Sequence, residues 1–218
     1  MRKITCILLA VMLILSLNCV NVFAQEEDNV SQLSRYNIIK GDPDGKMRLA
    51  DNLTRAEAVT LLVRLYGFTP ETSEAVPPNE FSDMEKHWAQ NAAMIAKGLR
   101  IVDAEENGVF NPNENITAEE FIKMIVCLLG YQEVAERKGE NPHGYIIQAT
   151  NLGVTKGISV DSGNYVTREN AVKIICNSLD IPIMVMTSFN FNDANTYTIL
   201  NGKNGVEFRS LRTMIEEK

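Results

Sequence analysis

Three stretches of the chain repeat one alternation of apolar and polar positions. From Thr54 it reads TRAEAVTLLVRLYG, from Thr117 TAEEFIKMIVCLLG and from Thr167 TRENAVKIICNSLD. Ala58, Leu61, Leu62 and Leu65 in the first copy, and Phe121, Met124, Ile125 and Leu128 in the second, share the spacing i, i+3, i+4, i+7. That spacing marks one face of an amphipathic helix. The third copy keeps Ala171, Ile174 and Ile175 but puts Ser178 where the stripe should end. Each copy follows a shorter helical segment that closes on an aliphatic residue: Val30, Leu33 and Tyr36 then Ile38; Ala93, Ala96 and Leu99 then Ile101; Ile146, Ala149 and Leu152 then Val154. From that aliphatic residue to the threonine is 16 positions in the first two copies and 13 in the third, so the third loop is shorter. The pattern predicts helix, Gly/Asp/Asn-rich loop, helix, three times over, and hence an all-α fold.

Polar, proline-containing stretches at Pro70 to Glu80 and Gln132 to Pro142 read as linkers. They divide the chain into repeat 1 at residues 28–68, with only a partial first helix, repeat 2 at 81–131 and repeat 3 at 142–180. Residues 181–218 form a short mixed tail. Asn195 to Leu200 followed by Asn201-Gly202 predicts a strand and a tight turn, and Leu211 to Lys218 a short helix. The ending soon after these elements reads as a truncation relative to longer relatives. At the other end, Arg2 and Lys3 precede an apolar run from Ile4 to Leu17, and Val22-Phe23-Ala24 stands before Gln25. This is the pattern of a cleaved secretory signal at residues 1–24. A spanning helix needs about 20 apolar residues, and Asn18 and Asn21 interrupt this run. Asn18 also takes the place of the small residue that lipidation at Cys19 would require.

Composition narrows the function. With 45% hydrophobic and 22% charged residues, 218 residues carry an ordinary core, which excludes wholesale disorder. The net charge is −7, and because the leader holds two basic and no acidic residues, its removal takes the charge to −9. Nucleic acid as a bulk partner is therefore not expected, since phosphates demand a basic face. After cleavage Cys127 and Cys176 remain, both in apolar helical stretches and neither in a C-x-x-C pair. They read as buried free thiols, with a mutual disulfide as the alternative. His87 and His143 are isolated, so no zinc site is expected.

The chemistry concentrates at the helix starts. Thr54 with Glu57, and Thr117 with Glu120, match the capping box, in which hydroxyl and carboxylate satisfy orphan amides. The boxes do not account for Arg55 and Arg168. Each stands in the first helical turn, where the helix dipole disfavours a cation. An arginine there makes sense if an anion arrives, because helix N–H groups and a guanidinium fork together suit a carboxylate or phosphate. The other reading is a solvated side chain. Trp88, the only tryptophan, follows His87 on a helix whose apolar face continues through Ala92, Ile95 and Leu99, and reads by default as core, with a groove-edge ring that stacks on a sugar as the alternative. A calcium loop fails around Asp42 and Asp44, where Lys40 takes the first ligand position; Asp103, Glu105, Asn107, Gly108 and Glu114 fit the spacing better, with a glutamate too long for its place. No metal ligand, cofactor or catalytic residue is assigned: the chain has no G-x-S-x-G, H-E-x-x-H or phosphate-binding glycine loop.

The run IIKGDPDGKMRLADNLTRAEAVTLLVRLYG from Ile38, and FSDMEKHWAQNAAMIAKGL from Phe81, resemble S-layer homology domains, and the three copies cover roughly residues 28–180. The resemblance implies a pseudo-threefold, all-helical spindle with ligand grooves between repeats. It also implies noncovalent attachment to an acidic secondary cell-wall polysaccharide, often pyruvylated, of Gram-positive-type bacteria. The T-R-A-E arginine, which the family places on the acidic sugar, falls on Arg55 and, through T-R-E-N, on Arg168. Copy two has Ala118 in that place, copy three has Asn170 for the capping glutamate, and copy one lacks the F-x-D-x-x-x-H-W-A opening.

The sequence thus predicts a secreted, non-enzymatic protein of the cell wall or surface layer. Arg55, Arg168, Thr54, Thr167 and Trp88 are its candidate ligand residues, with the Arg55 groove the better formed. The alternatives are a surface-layer subunit or adaptor whose tail contacts other surface proteins, and a calcium-dependent module.

Overall fold

The structure, a computed structural model, describes residues 29–73, 76–103, 108–188, 195–203 and 205–217. The expected leader lies outside these residues, as do Glu105 and Asn107 of the calcium reading. Helix α1 covers 29–35 of the described chain. It is followed by α2 (Arg55–Leu65), α3 (Gln90–Gly98), α4 (Ala118–Leu128), α5 (Gln132–Glu136), α6 (His143–Leu152) and α7 (Arg168–Ser178). The tail supplies β1 (Met184–Ser188), β2 (Thr196–Ile199) and α8 (Leu211–Glu216). The fold is all-α with a short mixed tail.

The three threonines begin helices α2, α4 and α7. Thr54 and Thr117 each accept the amide three residues on, and Glu57 and Glu120 return to the threonine amides, closing both capping boxes. Thr167 accepts from Asn170 N without a return bond. The apolar stripes are buried as the spacing predicts, and Ser178 fits the core because its hydroxyl donates to Ile174 O at 2.7 Å. The shorter helices end on the predicted aliphatic residues for a definite reason. Asn37, Arg100 and Gly153 adopt positive φ, and the next amide, of Ile38, Ile101 or Val154, donates back to Leu33, Ala96 or Ala149. This is a Schellman cap whose last residue is apolar and packs inward. All three are buried.

The repeats close on one another through the residue before each threonine. Leu53 N donates to Val166 O, Val166 N to Ile116 O, and Ile116 N to Leu53 O, at 2.9–3.0 Å. All three side chains are buried, so the pseudo-threefold axis runs through a buried triangle of backbone. A second ring surrounds it: Arg55 N donates to Glu114 O, Ala118 N to Asn164 O and Arg168 N to Asp51 O, each at 2.9 Å. Every second helix therefore starts against the loop of the following repeat. The helices pair across repeat boundaries as well, α2 with α3 and α4 with α6, while Cys176 on α7 meets Asn29 O on α1.

Two elements differ from expectation. Helix α5 opens the stretch read as a linker, because Ala135 is buried and α5 packs on α6. Strand β2 forms as predicted, but its antiparallel partner is the upstream β1. The tail docks tightly: Met184 N donates to Leu129 O and Tyr131 Oη to Pro182 O. At Gly130, φ is +83° and a β-carbon would lie 1.9 Å from Met184 O, so only glycine admits this approach. Cys127 and Cys176 form no disulfide with each other, so that alternative is not realised. Among the described residues, no helix is long and apolar enough to cross a membrane.

Candidate functional site

The two first-turn arginines point into the seams between repeats. Arg55 Nε donates to Phe110 O at 2.8 Å and Nη1 to Glu120 Oε1 at 3.0 Å, and its guanidinium lies 5.2 Å from the Phe110 ring centre. Arg168 repeats the arrangement one seam on, with Nε to Met47 O, Nη1 to Glu57 Oε1 at 3.0 Å and Nη2 to Lys40 O. Its side chain is only 8% exposed. The dipole cost of a cation in the first turn is about 0.3–1 kcal/mol. Each guanidinium hydrogen bond contributes about 1 kcal/mol or more, so the seam contacts outweigh it.

These contacts revise the reason for an arginine at a helix start. The expected anion is already present within the chain, as the capping glutamate of the next repeat. Glu57 Oε2 serves the Thr54 amide while Oε1 accepts Arg168; Glu120 Oε2 serves the Thr117 amide while Oε1 accepts Arg55. The third seam has lost both partners together, Ala118 on one side and Asn170 on the other. That joint loss was visible in the sequence, where the glutamates read as caps alone. Arg168 is held by Glu57 and by loop carbonyls of repeat 1.

The helix amides are also committed. Arg55 N and Ala56 N donate to Glu114 O and Pro112 O, Arg168 N and Glu169 N to Asp51 O and Leu49 O. Thr54 and Thr167 are caps, engaged with Glu57 N and Asn170 N. An incoming anion must therefore meet side chains rather than helix N–H groups.

Two grooves follow the seams. The one at Arg55, about 380 Å³, sets Arg55 and Lys123 against Asp103, Glu119 and Glu120. The one at Arg168, about 230 Å³, sets Lys40, Arg48, Arg64 and Arg168 against Asp42 and Glu57. The first is acid-rich and the second is cation-rich. Trp88 lines the second and is 64% exposed, so it is not a core residue. It stands in the turn before α3 rather than on the helix, and the packing of α3 on α2 carries its ring to the seam between repeats 3 and 1. Arg168 and Trp88 thus share a groove, while Arg55 belongs to the other. Lys40, Arg48 and Arg64 were not singled out from sequence, because nothing in their spacing ties them to Trp88. Among the described residues, no group of three or more His, Cys, Asp or Glu converges as a metal site.

The S-layer homology domain pattern matches residues 23–59 and 80–122. This chain carries S-layer homology domains at those two segments. The third repeat, beyond the matched segments, is tied to the other two by the backbone triangle. The chain is 29% identical over 167 residues to the "Middle cell wall protein" of Brevibacillus brevis, covering 76% of this chain and 16% of that protein. It is 28% identical over 137 residues to the "Surface layer protein" of Brevibacillus choshinensis, covering 62% and 12%. Against the "Cellulosome-anchoring protein" of Acetivibrio thermocellus it is 30% identical over 84 residues, covering 38% and 19%. It spans less than a fifth of the length of each of these relatives.

Proposed function

We propose that this chain anchors a bacterial surface protein noncovalently to the cell wall by holding an acidic wall polysaccharide in the Arg168 groove. The observation that carries the reading is the lining of that groove, four cations around an exposed indole in a chain of net charge −7. The roles divide by exposure. Arg168, nearly buried, uses three donors on protein oxygens and shapes the floor. Arg48 and Lys40, at 48% and 54% side-chain exposure, meet the acidic group of the sugar. Trp88 offers a flat face to the ring. The chain's overall charge repels a polyanion at long range, so affinity comes from local pairing and little from steering. The cell-surface names of the relatives and the family support wall localisation and a non-catalytic role. An S-layer homology seam with its acid-rich lining, at Arg55, is the weaker site in this reading.

Sedimentation of the protein with purified bacterial walls tests it. Pelleting should be lost once acid extraction removes the secondary polysaccharide, and Trp88→Ala or Arg48→Ala should reduce pelleting without unfolding the chain. Equal pelleting with intact and extracted walls would sink the proposal.

A further inference from the structure

A second groove, of about 500 Å³, adjoins the Arg168 groove, and Lys40 and Arg64 line both. Three separate parts of the chain build it. Arg35 and Tyr36 come from the end of α1, Phe68 from the turn after α2, and Ile215 and Glu216 from α8 of the tail. Phe68 lines the groove, is 38% exposed and stacks on Tyr66 with centroids 6.2 Å apart and planes 10° from parallel. The tail wall is fixed rather than loose: Tyr36 Oη donates to Glu216 at 3.0 Å, Arg212 forks onto Asp180 at 2.5 and 2.8 Å, and Leu211 is buried. Where the grooves meet, the Glu71 carboxylate pairs with Arg64 and lies 3.8 Å from Lys40.

We propose that the second groove is an extension subsite for the same acidic glycan. It rests on the reading of the Arg168 groove, and adds that the sugars next to the one held at Trp88 cross Lys40 and Arg64 and lie on Phe68, with Arg35 meeting a further acidic group. Charge and shape both favour this occupant. The joined floor carries Arg35, Lys40, Arg48, Arg64 and Arg168, while exposed aromatic faces at Trp88 and Phe68 suit the apolar side of a sugar ring. Glu71, 47% exposed and at the start of the segment joining repeats 1 and 2, holds the anion position between Lys40 and Arg64 in the free protein. The glycan's acidic group displaces it. The tail thereby acquires a binding role, as one wall of the subsite.

The test compares short and long size fractions of one isolated wall polysaccharide, titrated into the signal-free chain. Arg35→Ala and Phe68→Ala should each bind the long fraction about fivefold more weakly and leave the short fraction unchanged. Glu71→Gln should bind the long fraction about threefold more tightly. Wild-type affinity for long fragments in both Arg35→Ala and Phe68→Ala overturns the extension subsite, as does equal weakening on the two fractions. Failure of the first groove reads differently: Trp88→Ala would then bind the short fraction as wild type does. No binding of either fraction to the unaltered chain overturns both readings.

Discussion

Arg168 of the third repeat donates to Glu57 of the first at 3.0 Å, across 111 residues of chain, and closes the ring of repeats. Glu57 is 22% exposed at its side chain and Arg168 8%, whereas the matching Arg55 and Glu120 stand at 11% and 47%. Removing one partner of a buried pair strands the other in low dielectric. Arg168→Ala should lower unfolding free energy by about 3 kcal/mol, and Arg55→Ala by about 1–2 kcal/mol because solvent screens its partner. Urea denaturation decides; equal losses would refute the difference in burial as the cause.

The third seam offers a gain. Ala118→Arg alone places a cation in the first turn of α4 with no carboxylate opposite, and Asn170→Glu alone supplies only the missing cap return. Together they rebuild the pair that the other seams possess. A double-mutant cycle should show favourable coupling of about 0.5–1.5 kcal/mol, and strict additivity would mean the third seam is too short to seat the pair.

Gly130 and Gly153 both have left-handed φ, but only Gly130 faces a close neighbour, Met184 O. Gly153→Ala should cost about 1–2 kcal/mol, the conformational strain alone. Gly130→Ala adds a clash with backbone and should cost about 3 kcal/mol or more, together with new proteolytic cleavage near Met184 as the tail lifts. Similar costs at the two sites would show that the tail docks loosely.

The Arg212 fork holds the Asp180 carboxyl below its ordinary pKa of 3.8. A depressed acid contributes stability that is complete above that ordinary value and is lost as pH falls through the lowered one. Hydrogen exchange of the α8 amides should therefore accelerate in that acid range, and Asp180→Asn should exchange fast at neutral pH with a flatter acid response. An unchanged profile in the variant would detach the effect from this pair.

Burial pushes the Cys127 thiol from 9.0 up to about 11. The neutral thiol is the form the fold favours, so its contribution is intact below pH 9.0 and fades as pH rises through about 11. At pH 8 iodoacetamide should label Cys127 slowly in the native chain and rapidly in urea. Fast native labelling would show that the site opens readily.

Much of this architecture was legible in the residues. The stripes at Ala58 to Leu65 and Phe121 to Leu128, the capping threonines and the closing Ile38, Ile101 and Val154 are local signals, each readable within one or two helical turns. Other features were hidden for a common reason. Trp88 sits beside an apolar face in sequence, yet the helix starts two residues later and its ring turns outward. Helix α5 was masked by the polar composition around it, and β1 pairs with a strand whose register no nearby residue announces.

The sequence by itself determined that three helix-loop-helix units exist, where their second helices begin and which faces are apolar, because helix caps and 3.6-residue periodicity are set by neighbours in the chain. Only the tertiary structure decided what Arg55 and Arg168 do. Their partners are carboxylates and carbonyls 55 to 128 positions away, brought close by the backbone triangle of Leu53, Ile116 and Val166. Closing that ring turned one seam acid-rich and gathered Lys40, Arg48, Arg64 and Trp88 at the other. An electrostatic site depends on distances through space, and residue spacing along the chain does not contain them.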